Sequence, residues 1–326
     1  MYSYGAFGRA DGAIPVTGAT MPQLLAMQVR IFILFYAILL AGFPAAAQVV
    51  LKEELKRKFE TELHRVDTAF DGVAGAQFID LTSGEKTSLN ADTVFPTASV
   101  IKVPVLIEFF RQAEKKPAML TERRNITANN RTGGSGILKI LGDGTSALAL
   151  EDLARLMINL SDNTASNLVI DEVGMANVNS LITSLDLKQM KLQRRMMDSA
   201  ALGRGVDNIS SPADGAAIMA RIARCDLPVS RESCAKVRQI LEIPQDAHPA
   251  KDFIPRNIPI AFKWGSNDGV STVWAIVNQP GRPYVMSIMA TYAGDATATV
   301  RALSSAAWMY YSRLAEANPF GTRVLR

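Results

Sequence analysis

Three apolar, β-rich runs crowd the C-terminal third of this 326-residue chain: Ile258–Trp264, Val270–Val277 and Tyr284–Tyr292. The turns Asn267-Asp268-Gly269 and Gln279-Pro280-Gly281-Arg282 join them, which predicts antiparallel pairing of neighbours. Two further strand-like stretches, Gly75–Leu81 and Thr87–Asn90, flank the turn Thr82-Ser83-Gly84-Glu85 near the start. A single sheet built from both ends of a chain makes everything between them an insertion.

That insertion reads as helical. From Ser99 to about Val173 the pattern is helical with short polar breaks; Leu150–Leu160 and Asn163–Val173 are its clearest helices, and Gly174 stops the second. Asn177–Leu185 gives a further short helix. Residues 188–210 have no steady period and read as a long ordered surface loop, a type that usually carries function. Ser211-Pro212-Ala213-Asp214 then supplies an N-cap, a first-turn proline and an acid, starting a helix through Ile222. Leu51, Leu55, Phe59, Leu63, Val66 and Phe70 recur at helical spacing over residues 49–70, and Asp295 caps a last helix reaching about Glu316. The expected class is α+β: a five-stranded antiparallel sheet flanked by helices, with an inserted all-helical domain. Residues 48–96 and 212–326 would form the discontinuous α/β domain, and 97–211 the helical one, with 188–210 as an Ω-like loop.

Residues 1–26 are rich in Gly, Ala and Pro without a period and read as an unstructured or non-native extension, with Met27 as an alternative start. Met27-Gln28-Val29-Arg30, the apolar run Ile31–Phe43 and Ala45-Ala46-Ala47 together predict a signal peptide over 27–47, cleaved before Gln48. The run is short for a membrane span, so a periplasmic or secreted protein with no membrane attachment after cleavage is expected. In that oxidising setting Cys225 and Cys234 allow either a small local disulfide or two separate thiols.

The net charge of +4 is spread along the chain, and no basic run predicts a nucleic-acid partner. No Cys/His cluster has zinc spacing, and no metal or other cofactor is expected. His64, on the first helix, and His248, in a Pro-rich loop, are both expected at the surface. No Gly-x-Ser-x-Gly elbow occurs either. A nucleophilic serine in this chain must be activated by something other than histidine.

Three short elements supply that chemistry. In Ser99-Val100-Ile101-Lys102, a helix starting near Ser99 puts serine and lysine at i and i+3 on one face. Burial near other cations would depress the Lys102 pKa, so that the neutral amine takes the serine proton. Ser161-Asp162-Asn163 sits on a corner between two helices, where a hydroxyl and an amide can pass a proton and hold a carbonyl; the same residues also suit a plain helix cap. Lys263-Trp264-Gly265-Ser266 ends a strand, with a cation and a glycine that admits a ligand to the backbone edge.

In this order the set resembles the Ser-x-x-Lys, Ser-Asp-Asn, Lys-Thr-Gly elements of class A β-lactamases and penicillin-binding proteins. The run Met157 to Leu168, Gly136-Ile137-Leu138 and Leu150-Glu151-Asp152-Leu153-Ala154 extend the similarity, which covers roughly residues 50–316. The resemblance implies that Ser99 attacks a carbonyl with help from Lys102, and that Ser161 relays a proton to the leaving nitrogen. It further implies that Asn163, Lys263 and Gly265 line the substrate site, with the N–H groups of Ser99 and Ser266 as oxyanion hole. Two departures stand out. Class A enzymes carry a Glu-x-x-Leu-Asn motif in the long loop, and Met197 falls where its Glu would be. Asp198 is the nearest acid, either a substitute base or an ion-pair partner of Arg195 or Arg204. Trp264 also replaces the hydroxyl residue of Lys-Thr-Gly, and Val270–Val277 supplies no arginine for a carboxylate. The expected function is hydrolysis of β-lactams by a monomer through a Ser99 acyl-enzyme, with Asp198 as deacylation base. The alternatives are a D-Ala-D-Ala peptidase or serine esterase or amidase of the same fold, and a non-catalytic β-lactam or peptidoglycan binding module.

Overall fold

The computed structural model describes residues 50–142, 146–243, 249–318 and 320–324, together with Met1 and Met21. Met1–Lys52 and Glu53–Arg326 are separate compact units, and the fold is that of the second. The expected extension and signal segment, Met1 and Met21 apart, and His248 lie outside the described residues.

A helix over residues 53–69 (α1) leads into β1 (Val73–Asp80) and β2 (Lys86–Leu89). Then come β3 (Phe95–Pro96), the 3-10 turn Ala98–Ile101 and α2 (Lys102–Lys115). A hairpin of β4 (Arg123–Ile126) and β5 (Ser146–Ala149) precedes α3 (Leu150–Asn159), α4 (Asn163–Val173) and α5 (Met175–Ser184). Next are α6 (Ser199–Gly203), β6 (Ile209–Ser210), α7 (Pro212–Arg224) and α8 (Arg231–Glu242). The chain closes with β7 (Ile260–Asn267), β8 (Val270–Val277), β9 (Tyr284–Thr291) and α9 (Ala296–Glu316).

The sheet has five antiparallel strands in the order β2-β1-β9-β8-β7. The last strand in sequence therefore sits at its centre, and its pairing with β1 runs from Val73↔Thr291 to Asp80↔Tyr284. Because side chains alternate across a strand, each strand serves two cores. Phe78, Phe262, Val273, Met286 and Ile288 face α1 and α9, where Phe59 stacks on Tyr310 with ring centroids 4.6 Å apart. Ile79, Ala261, Trp274, Ile276 and Val285 join the core of α2, α3, α4, α7 and α8. Each such side chain is fully or nearly fully buried, the larger ones worth roughly 1.5–3 kcal/mol apiece. His64 is exposed on α1, as its position on the helix predicts.

The caps follow the sequence. Ser211 Oγ accepts from Asp214 N at 3.1 Å, with Pro212 in the first turn of α7. Asp295 accepts from Thr297 N and Ala298 N at the start of α9. Gly174, at φ +81°, ends α4.

Elsewhere the structure departs from the sequence reading. The stretch from Ser99 to Val173 is interrupted by the β4–β5 hairpin, paired from Arg123↔Ala149 to Ile126↔Ser146, and by irregular chain before α3. Gly133, Gly134 and Gly136 fall in that irregular part, where glycine makes a helix costly. The long loop carries the short helix α6, and its end, β6, pairs with β3 at Phe95↔Ser210. Helix α7 continues past Ile222 to Arg224 and ends on Cys225 in the left-handed region. The open question at the cysteines is resolved by a Cys225–Cys234 disulfide, which ties the end of α7 to the first turns of α8.

Closing so small a loop stabilises mainly by restricting the unfolded chain, by about 2 to 3 kcal/mol. Replacing both cysteines by serine is expected to lower the unfolding free energy by about that amount in a urea titration, with a slope against denaturant equal to or slightly above that of the disulfide-bonded protein.

Candidate active site

Ser99 lies in the 3-10 turn that feeds α2, half-buried, and its Oγ has no hydrogen-bond partner among the described residues. The residue before it, Ala98, has φ +46°, a conformation costing an L-residue roughly 1–2 kcal/mol. That geometry is held from two sides. Thr97 donates from its N and Oγ1 to Asn208 O at 2.9 and 3.1 Å, and Thr272 Oγ1 donates to Thr97 O at 2.9 Å. Strand β7 comes in against the same turn. A Cβ at Gly265 would lie 2.3 Å from Ser99 N, so only glycine lets the strand edge and the Ser99 backbone meet.

Lys102 is the first residue of α2 and is fully buried. Its Nζ lies 2.8 Å from Ser161 O, 3.0 Å from Ser161 Oγ and 3.0 Å from Asn163 Oδ1. None of these is a carboxylate. Burial first and the Lys263 charge second hold its pKa well below the usual lysine range, with Asp162 offsetting part of this. A neutral amine there donates two N–H bonds and can accept one O–H through its lone pair. The sequence placed Lys102 to reach Ser99; the hydrogen bonds of its amine go instead to the Ser161-Asp162-Asn163 corner.

That corner is built with similar economy. Ser161 has φ +51° and turns the chain between α3 and α4. Asp162 caps α4 through Oδ1, accepting from Ala165 N at 2.9 Å, while Oδ2 accepts from Leu138 N at 2.8 Å. A Cβ at Gly136 would lie 2.2 Å from that Oδ2, which explains the glycine, itself at φ +102°. Asn163 donates from Nδ2 to Gly133 O at 3.0 Å and turns Oδ1 to Lys102. The corner divides its contacts between residues: Asp162 caps α4, while Ser161 and Asn163 face Lys102.

Lys263 is fully buried, and desolvation lowers its pKa to about 7. It donates to Trp264 O at 2.7 Å, with the Trp264 ring centroid 5.7 Å from Nζ. Trp264 itself packs against the α1–α9 core, and Ser266 is exposed at the end of β7.

In the long loop, Met197 has φ +60° and is 56% exposed. A Cβ on Gly134 would touch both Asn163 Nδ2 (2.7 Å) and Met197 Sδ (3.1 Å), so the thioether stands at the Asn163 side of the site. Asp198 is the N-cap of α6, its Oδ1 accepting from Ala201 N at 2.9 Å. The expected ion pair with Arg195 or Arg204 does not form. Arg195 pairs with Asp171 of α4 at 2.8 Å, and Arg194 pairs with Asp207 at 2.8 Å. The loop is anchored by amides instead. Asn167 exchanges bonds with Met196, and Asn208 Oδ1 accepts from Gln193 N and Arg194 N. Asn167, Asn208 and Thr272 escaped the sequence reading; only Asn167, one helical turn past Asn163, had a spacing that could have signalled it.

The site thus joins a free hydroxyl, a buried amine of lowered basicity, a second hydroxyl on that amine, and a buried cation. This is equipment for nucleophilic attack with proton relay. A family model described as the beta-lactamase enzyme family matches residues 57–311. A β-lactamase of Streptomyces fradiae is 26% identical over 245 residues, covering 72% of this chain and 78% of that protein. Among solved structures, a β-lactamase from Sphaerobacter thermophilus superposes with a TM-score of 0.72 at 29% identity, over 78% of this chain and 97% of that one. A PBP-A mutant in acyl-enzyme complex with penicillin G superposes with a TM-score of 0.71 at 25% identity, over 80% and 97%.

The two buried lysines have a cost for folding whose sign can be checked. Lys263 titrates near 7 folded and near its ordinary 10.5 unfolded, so the unfolded chain holds the extra proton between those values. Stability therefore falls as pH drops from about 10.5 toward 7, and the loss is complete below. Lys263→Met is expected to raise Tm at pH 7 and to flatten its dependence on pH between 7 and 10, read by calorimetry.

Proposed function

The chain belongs to the beta-lactamase enzyme family, and from that premise we propose that it is an exported serine hydrolase that opens β-lactam rings through a Ser99 acyl-enzyme. The observation that carries this is the fully buried Lys102 amine, seated among Ser161 O, Ser161 Oγ and Asn163 Oδ1 with no carboxylate on it among the described residues. Burial and the Lys263 charge hold its pKa well below the usual lysine range, which favours the neutral form that can act as a base. The amine takes the Ser99 Oγ–H proton as the oxygen bonds to the lactam carbonyl carbon. The C–N bond then breaks, Ser161 Oγ–H protonates the nitrogen, and the Lys102 ammonium returns a proton to Ser161. Lys263 in its charged form and the Asn163 amide hold the substrate beside Gly265. The N–H groups of Ser99 and Ser266 receive the negative oxygen. The disulfide supports an oxidising compartment outside the cytosol, in keeping with a signal segment at 27–47. Among the described residues no helix is long and apolar enough to cross a membrane.

Deacylation is the weaker half of this machinery. Asp198 keeps Oδ2 without a partner among the described residues and would serve the water from there. Met197, standing where the family glutamate falls, offers no base at all. That thioether favours a second reading, in which the acyl-enzyme is long-lived and the natural substrate is a D-Ala-D-Ala peptide.

Intact-mass spectrometry of residues 48–326 with a penicillin separates the two. An adduct that appears and clears as product accumulates is expected, and Ser99→Ala is expected to abolish it. Asp198→Asn keeps an equally good cap, so slower clearance in that variant would isolate the base role. A persistent adduct would favour the peptidase. Met197→Glu is expected to speed clearance about 100-fold or more, within the range of a positioned general base.

The rate of acylation is expected to fall on the alkaline side, in the free enzyme near 7, as Lys263 loses its proton. Stopped-flow acylation with Lys263→Met is expected to remove the alkaline limb.

A further inference from the structure

Thr272 lies on β8, fully buried, directly opposite Gly265 in the register of β7 and β8. Its hydroxyl does not face a ligand. Oγ1 lies 2.9 Å from Thr97 O and 3.2 Å from Gly265 O, so one O–H is shared between two carbonyls. Those carbonyls belong to the two segments that carry the oxyanion N–H groups. Gly265 C=O and Ser266 N–H are parts of one planar, trans peptide unit and point in opposite directions. Holding the oxygen inward aims the Ser266 N–H outward. Thr97 C=O lies in the peptide leading into Ala98, whose φ of +46° sets the direction of the Ser99 N–H. The geometry is tight, since a Cβ on Gly265 would meet Ser99 N at 2.3 Å and Thr272 Oγ1 at 3.0 Å.

We propose that Thr272 is a positioning residue for this reaction: its hydroxyl clamps the nucleophile turn to β7 and fixes the spacing and aim of the Ser99 and Ser266 N–H groups. The proposal rests on the reading of Ser99 as the acylated residue. Without the O–H, the turn keeps the Asn208 contact to Thr97 and can drift from the sheet edge. A small misalignment of this kind lowers the rate of the chemical step rather than the affinity for substrate.

The test uses the protein as it stands, with a chromogenic cephalosporin for single-turnover acylation and a phenylboronic acid as tetrahedral adduct of the nucleophile. Thr272→Val keeps the shape and removes the donor. It is expected to slow acylation about 10- to 100-fold, less than or comparable to loss of an oxyanion donor itself. The dissociation constant of the non-covalent complex stays unchanged, and boronate affinity falls by a similar factor. Thr272→Ser restores both to within a few-fold. Ser271→Ala, which removes a neighbouring buried hydroxyl with no partner among the described residues, leaves both unchanged. If Thr272→Val fails to fold, Thr272→Cys, of similar size with a weak donor, carries the test and gives an intermediate rate. Wild-type acylation in the Val or Cys variant, or a loss found wholly in the non-covalent dissociation constant, overturns the proposal. Absence of any Ser99 adduct in the unsubstituted protein overturns the acyl-enzyme reading and this proposal together.

Discussion

An amine sealed away from water, with carbonyl, hydroxyl and amide oxygens around it and no carboxylate among them, governs the rest of this molecule. Charged, Lys102 would carry a large desolvation penalty made worse by Lys263 on the sheet side. Neutral, it fits its seat. The fold must therefore bring three distant stretches of chain to one point: the turn before α2, the corner between α3 and α4, and the end of β7. The helical core and the sheet each supply a wall, and glycine is required at 265 and 136 because the walls close to contact distance there. The surroundings of Ser99 are thus a product of long-range packing as much as of the local sequence.

The walls are not relaxed. Ala98, Ser161 and Met197 all take left-handed backbone conformations without being glycine, one on each side of the site. Such residues persist where their surroundings over-determine them. Thr272 and Asn208 do so for Ala98, and the Met196–Asn167 exchange does so for Met197. Ser161 is pinned by the Asp162 cap that follows it and by Lys102 on its carbonyl. Amide and hydroxyl bonds to backbone groups do this work better than the exposed Arg195–Asp171 pair of the same loop, because they are buried and unscreened.

Local signals were legible in the sequence, and long-range ones were not. The bounds of β8, the Ser211 cap and the Asp295–Glu316 helix follow from residues within a few positions of each other. The sheet of five strands follows from short apolar, β-rich runs and the turn residues between them. The Ser99, Lys102, Ser161 and Lys263 cluster was legible because each lies in a short recognisable element. The β4–β5 hairpin was missed because its arms are four residues long and lack alternation. Thr272 was invisible for a different reason. Its partner Thr97 is 175 residues away, and nothing in the local sequence of β8 separates a clamp from an ordinary strand threonine. Asp198 illustrates the converse: an acid adjacent to the expected position proved to be a helix cap, a role that short-range pattern alone assigns equally well.

The order of the sheet has a consequence for how the chain is made. Strand β1 leaves the ribosome early, yet the neighbour on its inner side is β9, near the other end of the sequence. Until β9 and its flanking strands have been synthesised, the β1–β2 hairpin has an open edge and no helix α9 to cover its inner face. Pairing across so long a separation is slow, and the nascent chain stays unfinished almost to its last residues. A topology of this kind defers closure of the sheet until synthesis is nearly over, so the two halves of the α1–α9 core are joined last.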